Sequence, residues 1–355
     1  MNPRYQLLVL IIAISTIHAC KKQEIVNYND IGKEVLSAPN GNYWQYRTTF
    51  PSGTRREGAG CFVINGKAYI FGGIDQSGNY KKDLWQYDPV ANTWTQKAGL
   101  FFFLASRAHV STFVINGKGY IVGGHKNNSS SGGKELAETW EYDPVENTWT
   151  QKQSLPMGRT MAAGFAINGK GYVAMGSNYV NDEYMSDVME FDPVANTWTA
   201  KSELVSPSGD MGRYAVACFV INNKAYIGLG KKFPEQAFDE FSDFWAFDPT
   251  ANTWTPVANF PAGPRSYPTT YSTGTIGYVG TGISDLFSMQ DFYFYNPASN
   301  TWTQRANVPG TPRAFAISFY IGNHGYLGLG AGYDETQSYI YRYTAVGSIS
   351  PNISN

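Results

Sequence analysis

The chain has 355 residues, of which 15% are charged and 15% aromatic, with 37 glycines and a net charge of −1. So few Lys, Glu and Arg residues argue against long helices, whereas aromatic residues and glycines suit strands and turns. Because the net charge is close to zero, no overall positive field attracts a polyanion, and nucleic acid is not an expected partner.

Residues 1–19 have the layout of a cleaved export signal, with a basic residue, an apolar run and then small and polar residues. The apolar run is too short for a permanent transmembrane helix. Its end, Ile17-His18-Ala19-Cys20, resembles the bacterial lipobox, although His18 is unusual there. The resemblance implies that Cys20 is lipidated and that residues 20–41 form a polar tether. The alternative is an ordinary signal peptide with Cys20 incidental.

The anchor predicts a cell-envelope protein, held at the outer membrane on its periplasmic or its surface side. Acyl chains hold a protein at a membrane without a spanning helix, so the anchor would be the only membrane contact.

Six internal repeats follow, each with an arginine, a tight turn, an aromatic strand and a glycine. The arginines are spaced by 51, 52, 54, 52 and 48 residues, and the glycines keep the same spacing. The arginines are Arg56, Arg107, Arg159, Arg213, Arg265 and Arg313, and the glycines are Gly73, Gly124, Gly176, Gly230, Gly282 and Gly330.

Each repeat predicts a four-stranded antiparallel meander. In the first repeat, Asn65-Gly66 separates two apolar runs, a strong signal for a hairpin with a type I′ turn. Leu84 to Asp88 then alternates like a strand, Pro89 ends it, and Asn92-Thr93-Trp94 begins a fourth strand.

The sixth repeat ends without a fourth strand, and Asn42-Tyr43-Trp44 near the N-terminus matches Asn252-Thr253-Trp254 of the fourth repeat. We therefore expect the N-terminal strand to complete the last blade and close the ring, which removes an exposed sheet edge. This places the repeat domain at residues 42–346 and a C-terminal tail at residues 347–355.

The paired glycines Gly72-Gly73 and Gly123-Gly124, the tyrosines before them and the fourth-strand tryptophans resemble the kelch family. The resemblance implies an all-β fold, a six-bladed kelch β-propeller closed by the N-terminal strand. The sequence departs from the pattern where Met175, Leu229, Thr281 and Leu329 replace the first glycine.

In such a meander, the connection from strand two to strand three lies on the same face as the connection between blades. These connections vary in length, whereas the turns on the opposite face do not, so specificity is expected on the variable-loop face. The longest connection runs from Lys126 to Ala137. The segment from Phe101 to Leu104 is expected on the same face, at the mouth of the central channel. It would serve there as a ligand platform, as a lid or as packing.

The predicted ligand site is the mouth of the central channel. Kelch proteins often use the repeat arginine, or the residue two beyond it, for an acidic ligand; pairing between blades is the alternative for the arginines. The second position varies and holds Gly58, His109, Met161, Ala215, Tyr267 and Phe315, which could stack on a sugar or fill the channel. The candidate residues are the six repeat arginines with His109, His125, Tyr267 and Phe315.

We predict neither a metal nor another cofactor, because His109 and His125 lack a cluster of Cys, Asp or Glu at ligand spacing. Cys61 and Cys218 lie at the same place in blades one and four, so we expect separate buried thiols rather than a disulfide.

Three functions remain open from the sequence, and we expect a monomer in each. The first is a module that binds a glycan or a protein through the mouth. The second, implied by similarity to periplasmic kelch epimerases of N-acetylneuraminate, is a sugar epimerase or mutarotase with a loop carboxylate, and with Arg159 or Arg213 as the partner of the sugar acid. The carboxylates on suitable loops are those of Asp182, Glu183, Glu235, Asp239, Asp285 and Asp334. A copper enzyme similar to galactose oxidase is a remote third. No catalytic set is legible, so the binding module is favoured.

Overall fold

The computed structural model contains only β-strands, turns and loops in the residues that it describes. No helix in this part of the chain is long and apolar enough to cross a membrane. The described residues are 35–37, 42–51, 55–101, 106–127, 133–181, 183–206, 209–232, 239–285, 287–332 and 337–345. The predicted export signal, the predicted lipidation site Cys20 and the predicted tail at residues 347–355 lie outside them.

Six antiparallel sheets, one for each repeat, form the blades, which confirms the predicted six-bladed propeller. Blade one consists of Gly60–Ile64, Lys67–Phe71, Leu84–Asp88 and Thr93–Lys97; blade two of Ser111–Ile115, Lys118–Val122, Thr139–Asp143 and Thr148–Lys152; blade three of Ala163–Ile167, Lys170–Ala174, Val188–Asp192 and Thr197–Lys201. Blade four consists of Ala217–Ile221, Lys224–Gly228, Phe244–Asp248 and Thr253–Val257; blade five of Thr269–Ser272, Gly277–Gly280, Phe292–Asn296 and Thr301–Gln304.

Blade six is built from both ends of the described chain, in the sheet order Val35–Ser37, Tyr43–Thr49, Tyr339–Thr344, His324–Gly328 and Ile317–Ile321. Trp44 lies opposite Tyr343, with a bulge between Tyr46 and Thr48. The predicted closure by an N-terminal strand is therefore confirmed. Val35–Ser37, which the sequence analysis places in the tether, pairs outside that strand as a fifth strand.

The tight hairpin turns follow from positive φ angles that asparagine and glycine tolerate. Asn65 has φ 49° and Gly66 has φ 71°, as a type I′ turn requires. These turns lie at the end of the blade opposite the mouth.

The core lies between neighbouring blades, where an aromatic ring from one first strand covers a small residue in the next blade. The ring of Phe62 occupies the space where a Cβ on Gly119 would be, and Phe113 does the same to Gly171. At the outer edge, Trp149 Nε1 donates to Ala98 O at 2.7 Å, and Trp44 Nε1 donates to Ala306 O at 3.0 Å. The packing therefore holds one blade to the next at both its inner and outer strands.

The variable-loop face carries short two-stranded ribbons, which lie between the second and third strands of a blade except in blade one, where the ribbon includes the segment before the first strand. They pair Arg56–Glu57 with Ile74–Asp75, His125–Lys126 with Lys134–Glu135, Ser177–Asn178 with Glu183–Tyr184, Lys231–Lys232 with Asp239–Glu240, and Ile283–Ser284 with Phe287–Ser288. A further ribbon, Val205–Ser206 with Gly209–Asp210, lies in the connection to blade four.

Candidate functional site: the mouth of the central channel

The repeat arginines are buried inside the blades. Arg56 is 1% exposed, and its guanidinium donates to Gly72 O at 2.8 Å and to both Asp83 carboxylate oxygens at 2.8 and 2.7 Å. The backbone carbonyl of Arg107 accepts from Gly73 N of the preceding blade at 2.9 Å. Each arginine thus joins two blades. The carboxylates that pair with the first five arginines are those of Asp83, Glu138, Asp187, Asp243 and Asp291.

Non-glycine residues at the first kelch glycine position adopt the same backbone conformation as the glycine. Met175, Leu229 and Thr281 have φ between 58° and 62°, close to the φ of 62° at Gly72. Their carbonyl oxygens accept from Arg159, Arg213 and Arg265. The backbone geometry is therefore retained where the glycine is not.

Arg313 has a different environment, because Tyr339 stands at the place of the blade-six carboxylate. Its guanidinium donates to Pro309 O at 2.8 Å and to Thr311 O at 3.2 Å, and it lies 5.7 Å from the Tyr341 ring centroid. Burial lowers the pKa of Arg313. The burial of all six arginines favours the pairing role, and their contact with a ligand stays a prediction.

The residues two beyond the arginines form a backbone ring around the channel. All six have φ between 55° and 59°, in the left-handed region. Five of the six amides donate to the carbonyl at the same position of the preceding blade, for example from His109 N to Gly58 O at 2.7 Å and from Tyr267 N to Ala215 O at 3.0 Å. A left-handed backbone costs a non-glycine residue about 1–2 kcal/mol, so these bonds hold a strained conformation.

The side chains of this ring meet each other across the channel. The Tyr267 and Phe315 ring centroids are 4.1 Å apart, those of His109 and Phe315 5.6 Å apart, and Tyr267 Oη donates to Met161 Sδ at 3.3 Å. Gly58 leaves the space that the His109 ring occupies. Burial, with a smaller effect of His125, lowers the pKa of His109 to about 4, so this imidazole is neutral near pH 7. The side chains of His109, Met161, Tyr267 and Phe315 form the floor of the mouth, and we call them the channel plug.

Tyrosines that the sequence analysis missed stand above the channel plug. The Tyr214 ring centroid lies 5.8 Å from those of Tyr179 and Tyr184 and 6.3 Å from that of Tyr267. Lys231 Nζ lies 4.9 Å from the Tyr267 ring centroid. The positions of these tyrosines in the repeat could have indicated them, because Tyr214 follows a repeat arginine and Tyr179 follows the Gly176 turn. Tyr179, Tyr184 and the fully buried Tyr214 are called the aromatic wall below, and Tyr267 of the channel plug lies next to it.

His125 of blade two contacts Tyr80 of blade one at another part of the mouth. Its Nδ1 is 2.9 Å from Tyr80 Oη, and its backbone lies opposite Glu135 in the ribbon. Burial lowers the pKa of His125, against the opposing effect of Glu135. Burial also raises the pKa of Glu57. The pKa of Tyr80 is raised by burial and, to a smaller extent, by the negative charge of Glu57.

Two clefts open between loops at the rim of the mouth. One, of about 480 Å³, lies between blades two and three and is lined by Glu135, Met157, Asn178 and Val180 among others. The other, of about 540 Å³, lies between blades three and four, beside Glu183, Tyr184 and Lys232. The sequence analysis named Glu183 but neither cleft, because each forms between loops of different repeats. The carboxylates of Asp182, Glu235 and Asp334, and Phe102 to Leu104, lie outside the described residues.

Among the described residues, no group of three or more His, Cys, Asp or Glu could hold a metal ion. Cys61 and Cys218 are free thiols, as predicted, and burial raises the pKa of each to about 12. Such thiols stay protonated and are poor nucleophiles.

Residues 40–230 match the sequence model of the KLHDC2/KLHL20/DRC7 Kelch-repeats domain, which is more than half of the chain. Together with the six blades and the buried repeat arginines, this match defines a kelch propeller. The chain belongs to the kelch-repeat family.

Several relatives are similar over part of the chain. Kelch-like protein 25 of Xenopus laevis is 33% identical over 212 residues, 59% of this chain and 33% of that protein. N-acetylneuraminate epimerase of Shigella sonnei (strain Ss046) is 34% identical over 93 residues, 25% of this chain and 24% of that protein. This chain thus spans a third or less of the length of these relatives.

A solved structure titled "Structure of YjhT" superimposes with a TM-score of 0.70 at 18% identity, over 84% of this chain and 97% of that chain. At this identity the likeness shows the fold alone.

Proposed function

We propose that the chain is a cell-envelope binding module that takes a glycan at the mouth of the propeller. The lipid anchor at Cys20 belongs to this proposal as the device that holds the module at the membrane. The observation that carries the proposal is the aromatic wall above a closed channel floor. Tyrosine rings offer flat apolar faces and a polar hydroxyl group, which suits the alternating faces of a sugar.

The geometry of the mouth supports a concave site rather than a passage. The backbone ring and the channel plug occupy the axis, so a ligand would enter from the variable-loop face only. Tyr179 is 42% exposed and Tyr267 is partly exposed, which leaves ring surface for contact. A concave, mainly apolar surface with a few polar groups is the usual form of a ligand site.

A glycan-binding screen with the purified full chain tests this proposal. Tyr179→Ala should reduce the affinity of any glycan retained by about fivefold to tenfold, in line with the loss of one stacking contact. The matched control is Tyr320→Ala, because Tyr320 is a partly buried tyrosine at the opposite end of blade six. Retention of protein partners without any glycan would contradict the glycan part of the proposal.

A second candidate, a sugar epimerase or mutarotase, is favoured by the local similarity to N-acetylneuraminate epimerase. Glu57, Tyr80 and His125 provide groups for proton transfer at the mouth. Proton NMR of N-acetylneuraminate would reveal faster exchange between its anomers when a small amount of the chain is added. An unchanged exchange rate would exclude this candidate.

A further inference from the structure

Glu135 is a buried carboxylate at the rim of the mouth. Its residue is 5% exposed, and its Oε2 atom is buried without a hydrogen-bond partner among the described residues. Directly opposite residues of an antiparallel ribbon project to the same side, so Glu135 and His125 share a face. A buried carboxylate without a donor is costly, and such a group calls for an explanation.

Among the described residues, no neighbouring cation forms an ion pair with Glu135. The guanidinium of Arg107 donates to Glu138 rather than to Glu135, and the charge of Lys126 also acts on Glu138. Lys134 is exposed at the outer rim of the cleft. His125 has a lowered pKa because of burial and is neutral near pH 7. The carboxylate thus lacks a described ion-pair partner.

The cleft of about 480 Å³ gives this carboxylate an open neighbourhood. Its walls include Leu136, Pro156, Met157 and Val180, and Val180 is 68% exposed at the entrance. The volume is within the range of pockets for small ligands.

Tyr179, a member of the aromatic wall, lies beside the cleft. It directly precedes Val180 in the chain, and the charge of Glu135 contributes to its raised pKa, after the larger effect of burial. Tyr179 Oη lies 3.8 Å from Met161 Sδ in the channel plug. One ligand could therefore contact the Tyr179 ring and reach Glu135 with a donor group.

We infer that this cleft binds the protonated amine of an amino sugar, with Glu135 accepting from the ammonium group and Tyr179 contacting the sugar ring. A cationic donor is the strongest partner for a buried carboxylate, because a charge-assisted hydrogen bond is about twice as strong as a neutral one. The inference rests on the proposed glycan-binding function and adds the charge of the ligand. It also predicts that acidic sugars are rejected, since the repeat arginines are buried in the blades.

Isothermal titration calorimetry of the full chain with three probes tests the inference at about pH 6, where the amines carry a proton. The probes are a glucosamine tetramer, an N-acetylglucosamine tetramer and a galacturonate tetramer. The cationic tetramer should bind at least about tenfold more tightly than the neutral one, and the acidic tetramer most weakly.

Glu135→Gln removes the charge and keeps the shape of the side chain. It should reduce the affinity of the glucosamine tetramer by about tenfold or more and leave that of the N-acetylglucosamine tetramer unchanged. The matched control Glu203→Gln neutralises an exposed carboxylate in the neighbouring cleft and should change neither. Melting temperatures of both variants check the fold, and Tyr179→Ala, at an exposed ring, should weaken both tetramers.

Glucosamine binding that survives Glu135→Gln, or an acidic tetramer bound as tightly as the cationic one, would overturn the inference while the proposed function stands. Tetralysine is titrated as a fourth, non-saccharide probe, and tighter binding of tetralysine than of the glucosamine tetramer would overturn the assignment to a sugar. Absence of binding by all three saccharides would contradict both the inference and the glycan-binding function.

Discussion

Closure of the ring depends on Trp44, and replacing it by alanine should destabilise the protein strongly. The Trp44 side chain is 0% exposed, packs 4.9 Å from the Tyr343 ring centroid and 5.1 Å from that of Phe292, and donates to Ala306 O. Removing a large buried aromatic side chain costs about 3–5 kcal/mol, and an unsatisfied carbonyl adds about 1 kcal/mol. We therefore expect Trp44→Ala to lower the free energy of unfolding by about 4–6 kcal/mol.

The matched control is Trp198→Ala, at the same place in blade three. Trp198 is only partly buried, and its Nε1 donates to Gln153 O at 2.8 Å. Because less apolar area is lost and water reaches the freed carbonyl, we expect a smaller cost of about 2 kcal/mol. Because both indoles donate one hydrogen bond to a backbone carbonyl, the difference between the two costs reports how much the burial of Trp44 at the closing strand contributes to stability.

Urea unfolding followed by tryptophan fluorescence and far-ultraviolet circular dichroism measures both values. Equal costs for the two variants, or a cost of Trp44→Ala below about 2 kcal/mol, would refute the role of the N-terminal strand in closing the ring.

Arg265→Ala should lower the free energy of unfolding by about 2–3 kcal/mol, because it leaves the Asp291 carboxylate without its partner; unchanged stability in urea titration would contradict the pairing role. Gly58→Ala should cost about 2 kcal/mol, since its φ is 59° and the His109 ring occupies the Cβ position, whereas Gly66→Ala, in open space, should cost about 1 kcal/mol in the same assay. His109 has a pKa of about 4 in the folded chain against an ordinary 6.5, so the unfolded chain takes up a proton first as the pH falls. Stability should then drop by about 2–3 kcal/mol between pH 6.5 and 4, and His109→Leu should flatten this dependence in thermal melts. Cys20→Ala should release the folded protein into the soluble fraction, and labelled fatty acid on the variant would disprove the anchor.

The sequence by itself determined the architecture of the repeats. The Asn-Gly turns, the strand alternation and the constant spacing of the arginines are local features, and each predicts its conformation from a few neighbouring residues. The match between Asn42-Tyr43-Trp44 and the other fourth strands even revealed the closing pair, because a blade without its fourth strand would leave an exposed edge.

Only the tertiary structure showed which groups the arginine side chains contact. Both an open mouth and an internal bracket are compatible with one arginine per repeat. The choice depends on carboxylates such as Asp83, which is 27 residues from Arg56 in the chain but forms a bidentate pair with it. Such distant pairs are decided by packing rather than by local pattern.

The same reason explains the parts of the site that the sequence analysis missed. Glu135, Tyr179 and the cleft beside them come together from loops of two blades, and the burial of Glu135 is a property of that junction. Loop residues show no periodicity that would indicate their neighbours. The repeat pattern thus determined where the blades are, and the packing of non-repeating loops over the channel decided the chemistry of the mouth.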